Sequence, residues 1–202
     1  MFEKINTNTL KYKVNDLPKE PTKQYNLPAL TAGIINQGLS CYVPRENATI
    51  LNNVISVSGN GANSGAMFYQ DEDFTILQDA YAIRFIGKQL TKGECLYIIS
   101  ALQKVIKDNF NWVNKAGWNK IKKYSIHIPI TQDGEIDFDY MEKYIREIEL
   151  ARIREIELAR IRELVAYLEV CGFKDCTLSA EELSSIDKFT RGGGKMERVS
   201  NR

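Results

Sequence analysis

The chain has 202 residues, with 27 Lys plus Arg against 26 Asp plus Glu and a formal net charge of +1. That balance gives no global argument for a nucleic-acid or membrane partner, so either must be argued locally. No apolar run approaches the roughly 20 residues of a membrane span, and the polar start carries no signal-peptide core, so a cytoplasmic location with no membrane partner is expected.

From about Leu10 to Asp133 short alternating or apolar runs are broken by Gly, Asn and Pro, the pattern of an α+β domain with many short strands. Tyr12 to Val14, Val54 to Ser58, Ala66 to Tyr69, Tyr81 to Ile86 and Tyr124 to Ile130 carry β-branched or aromatic residues between turn signals, and predict strands. Between the last two, Leu96, Ile99, Leu102, Val105 and Ile106 recur at helical spacing and predict a helix from Leu96 to Phe110 that packs on the sheet.

After the turn Gln132-Asp133-Gly134, Asp137 or Asp139 can cap a helix that runs to about Val170, where Gly172 ends it. Inside it, Arg146 to Ile153 reads REIELARI, Arg154 to Ile161 repeats it unchanged, and Arg162-Glu163-Leu164 begins a third copy. At 100° per residue, Phe138, Met141, Ile145, Ile148, Ile156 and Ala159 share one face. Leu150, Ile153, Ile161, Leu164 and Leu168 share roughly the opposite one. An octad advances about 80° beyond two whole turns, so the repeats cannot keep one straight seam as heptads do. Arg146 with Glu149, Arg152 with Glu155 and Arg160 with Glu163 are spaced to pair. A two-sided helix is expected to contact its own domain on one side and another helix on the other, in preference to lying wholly on its domain. A further helix is expected from Ala180 to Phe189.

Little in the chain suggests catalysis. His127 is the only histidine, without a nucleophile at a telling spacing, and reads as structural. Cys41, Cys95, Cys171 and Cys176 are scattered, which favours reduced structural thiols over a metal site or disulfides. Asp133, Glu135, Asp137 and Asp139 suit capping better than a carboxylate cluster. Gly59 to Gly65 is a small-residue loop without a GxGxxG or P-loop pattern; it suits either close approach to a phosphate or base edge, or a plain turn. Lys104, Lys107, Lys115, Lys120, Lys122 and Lys123 face only Asp108, with Phe110, Trp112, Trp118 and Tyr124 interleaved. Such a stretch suits phosphate contact, or equally a solvated helix end followed by core tryptophans.

Four ordered blocks carry a resemblance: Tyr25 to Leu39 (YNLPALTAGIINQGL), Ile50 to Ser58 (ILNNVISVS), Asn60 to Gln70 (NGANSGAMFYQ) and Phe74 to Ile83 (FTILQDAYAI). Ile128-Pro129-Ile130 then leads through Gly134 to Phe138 into the long helix. Over roughly Tyr12 to Leu168 the chain resembles the specificity subunit of type I restriction–modification systems, or the similar subunit of bipartite type II systems. The resemblance implies a non-catalytic DNA-recognition subunit, here with one recognition domain and one spacer helix where full subunits have two of each. No Asn/Asp-Pro-Pro-aromatic motif and no nuclease core stands in the sequence.

The implied organisation is a mixed α/β target recognition domain over 1–136, a spacer helix over 137–171 and a tail over 172–202. Thr31, Asn36, Gln37, Asn60, Asn63 and Ser64 are the expected base readers, since loop Asn and Gln suit adenine edges. Lys115, Lys120, Lys122 and Lys123 are the expected phosphate contacts. Ile145, Ile148, Ile153, Ile156, Ile161, Leu164 and Leu168 are expected on the pairing faces of the helix. Implied partners are double-stranded DNA, a methyltransferase subunit, a second copy of the chain and, in some systems, a restriction subunit. S-adenosylmethionine is expected on the methyltransferase and no cofactor on this chain. A stand-alone DNA-binding regulator is the alternative reading.

Overall fold

Strand formation follows one-sided or two-sided burial of β-branched and aromatic residues, and it yields two small sheets. The computed structural model describes residues 1–106, 109–173 and 180–191, which fall into two compact units, Met1–Leu150 and Ala151–Arg202. Among these residues seven strands form: β1 (Phe2–Lys4), β2 (Leu27–Thr31), β3 (Leu39–Val43), β4 (Val54–Ser58), β5 (Met67–Gln70), β6 (Thr75–Gln78) and β7 (Ala80–Phe85). One sheet has the order β1-β7-β4-β5 and is antiparallel throughout; the other is β3-β2-β6, with β2 antiparallel to β3 and parallel to β6.

Helix α1 (Lys92–Ile106) covers the first sheet. Its buried Cys95, Ile98, Ile99, Leu102 and Ile106 recur every three or four residues and meet Ile55, Val57, Met67, Tyr81 and Ile83 in the largest core. Its start is fixed by a capping box: the Glu94 N–H donates to Thr91 Oγ1 at 3.2 Å and the Thr91 N–H to Glu94 Oε2 at 2.9 Å. A second cluster, with Leu27, Ala29, Cys41 and Val43, is covered by Leu10 and Leu17. A third, of Leu30, Leu51, Phe74, Ile76 and Ala82, takes residues from both sheets.

Three expected elements change. Tyr12 to Val14 is no strand: a 3-10 turn forms at Val14–Asp16, as Asn15-Asp16 bends the chain. Tyr124 to Ile130 is extended but has no ladder partner beyond one bridge between Ile130 and Ile136. Its alternation is real, because Tyr124, Ile126 and Ile128 are half-buried against the core while Ser125 and His127 are exposed. The first long helix begins four residues earlier than its apolar pattern, at the capping box, and ends at Ile106. Strands β1, β2, β3 and β6 are additional to those that the sequence pattern predicts.

After the short α2 (Trp118–Ile121), Asp137 starts α3 (Phe138–Val170) by accepting the Tyr140 N–H at 2.9 Å. Capping, as expected, occupies this carboxylate. The 33 residues span about 50 Å. The far end closes in a Schellman motif: the Phe173 N–H reaches the Leu168 carbonyl at 2.9 Å and the Gly172 N–H the Glu169 carbonyl at 3.2 Å, with Gly172 at φ 76°. Helix α4 (Ala180–Arg191) follows. Lys107, Asp108, Cys176 and the tail beyond Arg191 lie outside the described residues.

The division of the chain falls inside α3, because its first turns belong to the core. Met141 is fully buried, and Phe138 packs edge-on against Phe85 at 5.7 Å. Ile145 is half-buried, and every residue from Arg146 to Val170 is exposed. Two of the three expected ion pairs form, Arg152 with Glu155 and Arg160 with Glu163, whereas Arg146 with Glu149 is not among those of the described residues. Met141→Ala should therefore cost about 2–5 kcal/mol in urea unfolding, the range for a buried Met in a core that collapses only partly. A loss under about 0.5 kcal/mol would show that α3 is not anchored there.

Candidate nucleic-acid interface

Hairpin β4–β5 presents its turn, residues 59–65, next to the segment that follows α1. The Ser58 carbonyl accepts the Gly65 N–H at 2.7 Å, and the Ser58 N–H reaches the Ala66 carbonyl at 2.8 Å, which closes the turn. Gly65 has φ 96°, so this position favours glycine on conformational grounds, while an added Cβ would make an ordinary contact with the Phe110 ring at 3.4 Å.

Two side chains then tie turn and segment together. Ser64 Oγ accepts the Ala116 N–H at 2.8 Å, and the Tyr81 hydroxyl donates to the Ala116 carbonyl at 2.9 Å. Burial pushes the Tyr81 hydroxyl above its ordinary range, so it remains a protonated donor. Asn60 is also engaged: its amide donates to Asp79 Oδ1 at 2.9 Å and its Oδ1 accepts the Gly61 N–H at 2.9 Å. Asn63 is exposed, and among the described residues its side chain has no hydrogen-bond partner. Of the three expected readers here, Asn63 is thus the one whose amide is uncommitted.

Lys115, Lys120, Lys122 and Lys123 are all exposed on the adjoining segment. Between Asn109 and Gln132 the sequence contains no Asp or Glu, and among the described residues none of the four lysines forms an ion pair. Lys120 donates instead to Asn114 Oδ1 at 2.6 Å. The fold adds Lys4 from β1, whose ammonium lies 5.6 Å from the centroid of the Tyr81 ring and shares a concavity with Lys115 and Lys120. Sequence spacing could not have found Lys4, because β1 reaches this place only through pairing with β7.

The aromatics of the segment divide. Phe110 is buried, Trp118 and Tyr124 are half-buried against the core, and Trp112 is 67% exposed. Trp118 therefore packs on the core, whereas Trp112 lies at the surface.

Thr31, Asn36 and Gln37 lie elsewhere. Thr31 ends β2, opposite Gln78, while Asn36 and Gln37 sit in a 3-10 turn (Ile35–Gly38) with φ 45° and 56°. The Gln37 carbonyl accepts from Gln70 Nε2 at 3.2 Å, and Gln70 pairs with Val54 at the end of the β4–β5 hairpin opposite the 59–65 turn. The six expected base readers therefore form two groups, and only the Asn60 to Ser64 group adjoins the lysines. Left-handed backbone at a non-glycine pair is strained, and an exposed turn held that way is a second surface set for display.

Two of the cysteines, Cys41 and Cys95, are buried free thiols. Burial, with a smaller push from the Glu94 carboxylate, raises Cys95 to about 12, and burial raises Cys41 as well, so both stay protonated. Among the described residues no group of three or more His, Cys, Asp or Glu is placed to hold a metal. His127 is exposed.

Comparison with known proteins adds three findings. A curated relative, the specificity subunit S.BcgI of the type II restriction enzyme BgcI from Heyndrickxia coagulans, is 25% identical over 134 residues, 66% of this chain and 38% of its own. The crystal structure of the S subunit of a type I restriction-modification system from M. genitalium aligns over 84% of this chain and 43% of that one, at 17% identity and a TM-score of 0.42. The chain thus spans about two fifths of the length of the relatives it matches. The model of the type I restriction modification DNA specificity domain matches residues 1–158, which takes in the sheets, the lysine segment and the first part of α3; the chain belongs to that family.

Proposed function

We propose that this chain is a non-catalytic DNA-specificity subunit of a restriction–modification system, reading one half-site with the unit that ends at Leu150. The observation that carries the reading is the carboxylate-free segment of exposed Lys115, Lys120, Lys122 and Lys123, joined through Ala116 to the loop that displays Asn63. Unpaired lysines on a fixed frame can neutralise phosphates and release counterions, which gives affinity without sequence preference. An uncommitted amide beside them can read a base edge, which gives the preference. The Thr31 to Gln37 turn is a second reader on this reading.

Pairing of two copies through α3 would place two such units on a bipartite, two-fold-related site. Support comes from the apolar residues left exposed on α3: Ile148 at 49%, Ile153 and Ile156 at 50%, Ile161 at 55% and Leu164 at 61%. Half-buried Ile145, and Leu168 with 39% of its surface exposed, extend those faces. A methyltransferase subunit that brings its own S-adenosylmethionine would dock on this assembly in the cytoplasm, with a restriction subunit where the system has one. The type II relative favours a second form of the same reading, the specificity subunit of a bipartite type II system. Pull-down with the neighbouring methyltransferase separates both from a stand-alone regulator, which would bind DNA and recruit no modifying subunit.

The Lys122→Ala/Lys123→Ala pair should weaken binding to every duplex alike and flatten the plot of log affinity against log salt by about 0.9 for each phosphate no longer neutralised. Asn63→Ala should instead change which sequences are preferred at nearly constant salt dependence. Anisotropy titrations over a salt series measure both, and lysine variants that bind like the wild type would sink the reading.

Octad number would set the half-site gap. Removing residues 154–161 shortens a helix by about 12 Å, or at most about three base pairs at 3.4 Å per step. Sequencing of methylated sites should then find the same half-sites with a changed gap. An unchanged gap excludes the ruler, and a strict monomer by light scattering, both free and with the methyltransferase, excludes the paired assembly.

A further inference from the structure

We infer that Trp112 and Val113 form an apolar wedge that enters a base step of the bound duplex, an inference that rests on the DNA-reading role proposed above. Trp112 is 67% exposed and Val113 94%, adjacent in sequence at the tip of the loop between α1 and α2. A large indole and a β-branched side chain held side by side in water are unfavourable unless something covers them. The core does not: from this segment it takes Phe110, Ala116, Trp118, Ile121 and Tyr124, and neither Trp112 nor Val113.

The loop is fixed before any partner arrives. Asn111 Oδ1 accepts the N–H groups of Val113 and Asn114, both at 2.9 Å, and the Asn111 N–H donates to the Asn114 carbonyl at 3.0 Å. Asn114 Nδ2 reaches the Asn109 carbonyl at 2.5 Å, and Lys120 grips Asn114 Oδ1 from the far side. A tip held by these hydrogen bonds loses little conformational freedom on binding, so its apolar area is available for affinity.

Charge complementarity selects the occupant. Lys115, Lys120 and Lys4 share a concavity, Lys120 bonds to Asn114 of the tip loop, and no carboxylate interrupts the segment, so the surface that draws near is a polyanion. Phosphates cannot satisfy an indole and an isopropyl group placed among the cations; the apolar faces of stacked bases can. Proteins that bend DNA insert side chains of this kind and partly unstack a step. The position matters as well, because an added Cβ at Gly61 would lie 4.0 Å from the Trp112 ring, which puts the wedge beside the loop that displays Asn63. A kink there would open the groove to that loop and favour half-sites with an easily unstacked pyrimidine–purine step.

The test uses the full chain and a duplex that it selects from a randomised pool, with 2-aminopurine replacing each adenine in turn. At saturation one position should brighten as its neighbour unstacks. Trp112→Ala should abolish that signal and weaken binding about tenfold with the salt dependence unchanged, whereas Trp112→Phe should keep most of both. The Lys122→Ala/Lys123→Ala pair should lower affinity yet keep the brightening once saturated. Both tryptophan variants replace an exposed side chain, and equal melting temperatures confirm that they fold. No brightening at any position of the wild-type complex, or undiminished affinity in Trp112→Ala, overturns the wedge while selection of a sequence leaves the DNA-reading role standing. Failure of the wild-type chain to select any sequence overturns both.

Discussion

Ala116 is fully buried, and both its backbone groups are satisfied by side chains from elsewhere: the N–H by Ser64 and the carbonyl by Tyr81. A buried backbone group without a partner costs about 1–3 kcal/mol, and neither backbone group of Ala116 is satisfied within its own segment. Its course across the sheet is therefore dictated by where Ser64 and Tyr81 stand. Ser64 belongs to the turn of the β4–β5 hairpin and Tyr81 to β7, next to β4 in the same sheet. The Tyr81 ring also meets Trp118 edge-on at 6.4 Å and lies beneath the Lys4 ammonium. One buried residue thus locks a loop, a strand and a run of lysines into a single surface. Asn63, Lys115 and Lys120 lie on the elements that this lock joins, and the Asn111 and Asn114 hydrogen bonds add the Trp112 loop to them.

How much of this the amino-acid order discloses depends on whether a signal is local. The alternation of Val54 to Ser58, the apolar spacing within α1 and the cap and stop of α3 are properties of neighbouring residues, and they are legible. Strand β2 is not, because Leu27-Pro28-Ala29-Leu30-Thr31 contains a proline and owes its strand character to two partners, β3 and the distant β6. Tyr124 to Ile130 fails in the opposite way: alternation reports one-sided burial, and here burial occurs without a ladder. The site divides similarly. Lysine-rich and Asn-rich segments are visible as composition, but that Ser64 is bonded to Ala116, that Asn60 is bonded to Asp79, and that Gln37 lies beyond the opposite end of the hairpin are all consequences of register. Composition also cannot say which of two tryptophans the core will take.

Helix α3 is governed by different forces. Its Arg–Glu contacts three residues apart are exposed, and such pairs contribute only about 0.2–0.5 kcal/mol each. They keep the helix soluble and favour its regular geometry without supplying a core. Tertiary packing within the first unit ends near Ile145, and the apolar side chains of α3 beyond it are exposed.

The two octads share that exposure equally. Ile148, Leu150 and Ile153 of the first are 49%, 44% and 50% exposed, and Ile156, Leu158 and Ile161 of the second 50%, 53% and 55%. Identical sequence here means near-identical surroundings, which is unusual for a repeat that has been fitted into a core, where each copy would meet different neighbours. Since no residue from 154 to 161 belongs to a buried cluster, removal of one copy changes the length and azimuth of the helix without opening a cavity in either sheet. Length is thereby uncoupled from the folding of the reading unit, and that uncoupling is the physical condition a variable spacer needs.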